Sequence, residues 1–178
     1  ETCVRELTGK PVVRAYLTHF HPDHVFGNQA FNSKVIAAPQ GVIDGLTSLG
    51  EDFASAMYFA TGDWMRGTEL VLPGKAIDSG VEEIGGRRFA SKVLGAHTSC
   101  DLAIVEETSG ILVAGDLVFL DRAPTTPHAD LIRWRDSLTE LAAVNAMQIV
   151  PGHGPVEGAP RGFDQTREWL SMVEETIR

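Results

Sequence analysis

The sequence predicts an α/β fold, and three observations carry that prediction. Short runs of apolar and β-branched residues recur along the 178-residue chain, each closed by a turn-forming residue. Longer segments between them repeat apolar residues three and four positions apart. Turn pairs, Gly85-Gly86 and Ser109-Gly110, split the central runs at hairpin spacing. No internal repeat or low-complexity linker interrupts this order, so a single domain over residues 1–178 is expected.

Taken in order, residues 1–7 read as the end of a helix, and residues 12–17, Val-Val-Arg-Ala-Tyr-Leu, as a strand ending at Thr18. Val42, Leu46, Leu49, Phe53, Met57 and Ala60 then keep helical spacing. Residues 56–67 are dense in large apolar groups (Met57, Tyr58, Phe59, Trp64, Met65), which suit either a wall over an active site or helix packing on the core. Residues 81–96, 102–106 and 111–114 read as strands of a meander. Leu131, Trp134, Leu138 and Leu141 mark a second helix, residues 148–150 a strand, and Phe163, Leu170, Val173 and Ile177 a last helix.

Composition narrows the function. The hydrophobic fraction of 43% supports a packed core, and no apolar stretch reaches the length of a membrane span. A net charge of −9 leaves no basic stripe for a phosphate backbone, so neither nucleic acid nor membrane is expected as a partner. Two cysteines, Cys3 and Cys100, are too few for a disulfide framework.

The chemistry is concentrated in His19-Phe20-His21-Pro22-Asp23-His24, which puts four metal-binding side chains into six positions behind an apolar run. Three of the six histidines lie here. The other candidate donors repeat the placement: His97 follows the run at 89–96, Asp116 follows residues 111–115, and His153 sits in Pro151-Gly152-His153-Gly154-Pro155 after residues 148–150. Each is expected just past a strand end, on a loop opened by small or turn-forming residues. Taken singly, a histidine after a strand is ordinarily a surface residue, and an aspartate after a glycine a turn or helix cap. Their joint recurrence at strand ends around a dense histidine motif favours a metal site. His128, in the loop 122–130, falls outside the pattern and reads as a surface residue.

These residues match a family. The segment 18–24, with His97, Gly115-Asp116 and Pro151-Gly152-His153-Gly154, resembles the metallo-β-lactamase superfamily along nearly the whole chain. Residues 24–31 look most like its zinc hydrolases associated with quinoprotein and sulfur-oxidation gene clusters. The resemblance implies an αββα sandwich and two metal sites, the first of His19, His21 and His97, the second of Asp23, His24 and His153, with Asp116 bridging. Asp116 takes the place of a cysteine found in many true metallo-β-lactamases, which makes the ligand set similar to glyoxalase II and the lactonases. Two zinc ions are the implied cofactors, and manganese or iron suits the same nitrogen and oxygen donors.

The function implied by the resemblance is that of a dinuclear hydrolase whose bridging hydroxide attacks the carbonyl of a small ester, thioester, lactone or lactam, with no protein nucleophile. Asp23 is expected to aim that hydroxide as well as to bind metal. A mononuclear iron thiol or persulfide dioxygenase and a non-catalytic metal-binding accessory protein are the alternatives. Only 18 residues precede His19, so the sandwich is expected to lack the early strands of its first sheet. Association through that edge, with a second copy or a strand-donating partner, is then expected. The resemblance points to the periplasm; no signal peptide is visible in the chain.

Overall fold

The computed structural model describes residues 1–158 and 160–177, with the side chain of Ile177 outside the described set. The chain divides into two compact units, Glu1–Ile77 and Asp78–Arg178. Both are mixed α/β, sheets flanked by helices.

The first unit opens with helix α1 (Thr2–Thr8), stopped by Gly9 at a φ of 66°, where the left-handed turn lets its N–H reach the Arg5 carbonyl. Three parallel strands follow in the order β1 (Ala15–Tyr16), β2 (Ile36–Pro39), β3 (Lys75–Ile77). Strand β1 is shorter than the apolar run at 12–17 predicts. Its ladder runs only where β2 lies alongside, Ala15 opposite Ile36 and Tyr16 opposite Ala37, and Val13 is exposed. Apolar character alone does not make a strand; a hydrogen-bonding partner does.

The short helix α2 (Pro22–Val25) carries the second half of the histidine segment. Helix α3 (Gln40–Thr61) makes the crossover from β2 to β3 that a parallel pair requires. Its predicted stripe emerges progressively: Val42 and Leu46 are buried, Leu49, Phe53 and Met57 half-buried, and Ala60 exposed. Beyond it Phe59 and Trp64 are 93% and 92% exposed, and Tyr58 is also exposed, so the core-packing reading of these aromatics fails. Gly45 brings α3 against the histidine segment, since a Cβ there would stand 2.6 Å from the Phe20 ring.

The second unit is a five-stranded sheet in sequential order: β4 (Gly80–Ile84), β5 (Arg87–Leu94), β6 (Asp101–Glu106), β7 (Ile111–Phe119) and β8 (Gln148–His153). Strands β4 to β7 form the predicted antiparallel meander. Gly85 and Gly86, at φ 60° and 77°, make the first hairpin turn, a conformation that side chains with a Cβ resist. Strand β8 then lies parallel to β7, reached through helix α4 (Leu131–Ala142), and helix α5 (Arg161–Ile177) closes the unit.

The core of this unit gathers Leu112, Ala114, Leu117, Val118 and Phe119 of β7, Trp134, Leu138 and Leu141 of α4, Ile149 of β8, and Phe163 and Leu170 of α5. Each large apolar side chain so buried is worth about 1.5–3 kcal/mol. Two polar groups here are satisfied by the backbone of β7: the Trp134 indole donates to the Leu117 carbonyl at 2.9 Å, and the Thr166 hydroxyl accepts from the Phe119 N–H at 3.0 Å.

One strand departs from expectation in a way that matters. The run at 111–114 continues as β7 to Phe119, so Asp116 lies inside a strand and not beyond its end. Register slips on both sides of Gly115, whose φ is 54°. That irregularity re-aims the strand while β8 pairs along it, Gly115 opposite Pro151 and Phe119 opposite His153. Likewise His153 is the last residue of β8. No helix among the described residues is long and apolar enough to cross a membrane.

Candidate metal centre

In the first unit the chain leaves β1 through Leu17 and Thr18 and enters the histidine segment. His19 is fully buried and His21 nearly so, their rings edge to face with centroids 4.9 Å apart. The Thr18 hydroxyl lies 3.1 Å from His19 Nδ1, a contact that orients the ring. His21 is extended, at φ −71° and ψ 151°, and caps α2, with Pro22 preset for the first helical turn. That turn reverses the chain and returns His24 to His19, ring centroids 4.3 Å apart. Asp23 is exposed, its carboxylate 3.2 Å from His24 Nε2. Donor atoms of His19 and His21 lie within 4.8 Å of each other, as do those of Asp23 and His24.

In the second unit His97 follows β5 and is fully buried. One oxygen of Asp116, itself 3% exposed, lies 3.3 Å from His97 Nε2 and 3.5 Å from His153 Nε2. Three residues predicted separately, from three parts of the chain, thus share one point. Their aromatic support is continuous: His97 packs edge-on against Trp134 at 4.9 Å, and His153 stacks on Phe119 at 5.2 Å. Gly152 is required by this packing, because a Cβ there would overlap the Asp116 carboxylate.

The loop carrying His97 is held by a residue that sequence reasoning misses. Asp101, 2% exposed, accepts from the Ala96 N–H at 2.9 Å, from the Thr98 N–H at 3.0 Å and from the Thr98 hydroxyl at 3.0 Å. Burial pushes its carboxyl up to about 6; the Thr98 and Ala96 donors oppose that rise and the negative Asp116 adds to it. Its signal in the chain is His97-Thr98-x-x-Asp101, but an aspartate at a strand start ordinarily reads as a turn residue. His128 is exposed in its loop. Cys3 is an exposed thiol and Cys100 a half-buried one.

The donor set fits a divalent cation. Buried imidazoles beside a buried carboxylate suit zinc and, as nitrogen and oxygen donors, manganese or iron. A buried carboxylate facing two imidazoles is costly without a compensating charge, and a cation supplies one.

Residues 3–153 match the family model described as the metallo-beta-lactamase superfamily. Solved structures share the fold. A metallo-beta-lactamase from Pontibacter korlensis aligns with a TM-score of 0.74 at 20% identity, covering 96% of this chain and 74% of its own. The metallo-beta-lactamase IND-7 aligns with a TM-score of 0.74 at 22% identity, covering 96% and 73%. FIM-1 from Pseudomonas aeruginosa, in its mono-zinc form, aligns with a TM-score of 0.71 at 18% identity, covering 97% and 72%.

Proposed function

We propose that this chain, which belongs to the metallo-β-lactamase superfamily and is a metal-dependent hydrolase, works with two ions held by a ligand set of glyoxalase II type. By the sequence motifs, the proposed first ion takes His19, His21 and His97, the second takes Asp23, His24 and His153, and Asp116 serves both. The observation that carries this reading is the Asp116 oxygen at 3.3 Å from His97 and 3.5 Å from His153, one imidazole from each proposed set. A carboxylate so shared is the ligand a metal pair needs. The mono-zinc form of one structural neighbour makes zinc the first ion to test.

When bound, such a pair supplies a water acidified toward neutral pH, polarises the substrate carbonyl and stabilises the oxyanion. The protein's own part is positional. Buried His19, His21 and His97 present their ring nitrogens, and the Thr18 hydroxyl beside His19 Nδ1 helps to orient that ring. Asp23, exposed beside His24, accepts a hydrogen bond from the attacking water and aims it. The substrate is a small ester, thioester, lactone or lactam, with β-lactams a weak side activity.

The test is metal content by mass spectrometry on protein purified without added metal, beside hydrolysis assays on thioesters, lactones and β-lactams. Two zinc ions per chain with acyl hydrolysis is the expected result. One iron with thiol oxidation, or retained metal without turnover on any acyl substrate, would sink it.

A further inference from the structure

We propose that Asp101 is a positioning residue for the metal site, holding His97 in the geometry of a ligand. The inference rests on the metal-hydrolase reading above and adds a residue to its machinery. Asp101 stands four positions after His97, at the start of β6, and is 2% exposed. It grips the chain on both sides of the ligand: Oδ2 accepts from the N–H of Ala96 before it and of Thr98 after it, at 2.9 and 3.0 Å. The second oxygen accepts from the Thr98 hydroxyl at 3.0 Å. That hydroxyl also takes the Cys100 N–H at 3.2 Å, so one threonine and one carboxylate close the loop between β5 and β6.

The Ala96 N–H also meets the Thr98 carbonyl at 2.9 Å, which folds residues 96–98 into a tight loop with His97 at its apex. A residue that only capped a turn would need one such bond. Here the donors flank His97 in sequence, and the ring is fully buried against Trp134, so the imidazole has little freedom left once its backbone is held. Restricting a ligand before metal arrives raises affinity, because less conformational entropy is lost on binding.

Asparagine at this position keeps the volume but offers one acceptor oxygen in place of two. The full chain and its Asp101→Asn and Thr98→Val variants are stripped with chelator, and zinc affinity is measured by competition with a chromophoric chelator. Cobalt spectra report the geometry of the site, and thermal unfolding of the metal-free proteins runs beside them. Asp101→Asn is expected to weaken zinc binding by about tenfold to a hundredfold and to alter the cobalt spectrum. Thr98→Val, which keeps the Asp101 carboxylate, is expected to do so less; it carries the test if the asparagine variant fails to fold. Two zinc ions bound with wild-type affinity in the variants, with only the unfolding temperature changed, would overturn the inference and leave the hydrolase reading intact. A wild-type chain that takes up neither zinc, manganese nor iron would overturn both.

Discussion

The imidazole of His153 lies flat on the ring of Phe119, centroids 5.2 Å apart and planes 15° apart, and the two residues are partners in the β7–β8 ladder. Phe119 also reaches the His97 ring at 5.7 Å. A single core side chain therefore supports one candidate ligand from each proposed ion.

Phe119→Ala is expected to act on stability and on metal binding together. Loss of a buried phenylalanine costs about 3–5 kcal/mol, read from denaturant unfolding. The support of His153 goes with it, so the zinc content of the folded fraction should fall. A variant that lost stability but kept full metal content would show the stacking to be incidental.

Gly152→Ala should be far more damaging to the site than its size suggests. The added Cβ would overlap the Asp116 carboxylate and come within 2.7 Å of the Gly115 carbonyl carbon, so the proposed bridging ligand must move. Loss of at least one metal equivalent is expected, with hydrolysis reduced by about a hundredfold or more. Gly80→Ala is the control: its Cβ meets nothing within 4 Å, and stability should stay within about 0.5 kcal/mol.

Asp23→Asn separates orientation from ligation. Acceptance of a proton-bearing hydrogen bond is worth about a hundredfold in turnover, and the variant should lose more turnover than metal. If activity simply tracked metal occupancy across a titration, the orienting role would be wrong.

Acid stability should depend on Glu106, remote in sequence from the histidine segment. Its carboxylate accepts from Arg87 at 2.6 and 3.1 Å and from the Thr108 and Ser109 N–H groups at 3.1 and 2.7 Å, tying the β6–β7 turn to β5. Arg87 foremost, then Ser109, holds the carboxyl well below its ordinary 4.5. A lowered native pKa stabilises the fold fully above pH 4.5, and that contribution is lost as pH falls through the native value. Glu106→Gln should therefore lower the unfolding temperature at about pH 7, and the gap to wild type should close in strong acid. A gap constant down to acid pH would contradict the linkage.

Much of this architecture was legible residue by residue. The stripe from Val42 to Met57 predicted α3, Trp134 and Leu138 predicted the buried face of α4, and Gly85-Gly86 predicted the hairpin. Each is a local signal: period, or a backbone conformation that few residues accept. The failures share a cause. Val12 and Val13 have strand character but no ladder, and Asp116 lies within β7 because β8, distant in sequence, extends the pairing past Ala114. Phe59 and Trp64 suited a wall over the site or core packing alike, and both are exposed, because burial depends on what faces a side chain.

The sequence by itself determined the fold class, the family resemblance and the chemical character of the donors, because side-chain identity and local spacing carry that information. Tertiary structure alone decided that His97, Asp116 and His153 meet at one carboxylate oxygen, that Gly152 must lack a side chain, and that Asp101 grips the His97 loop. Those facts arise from pairing and packing between strands, and pairing is a property of partners that no local window of sequence contains.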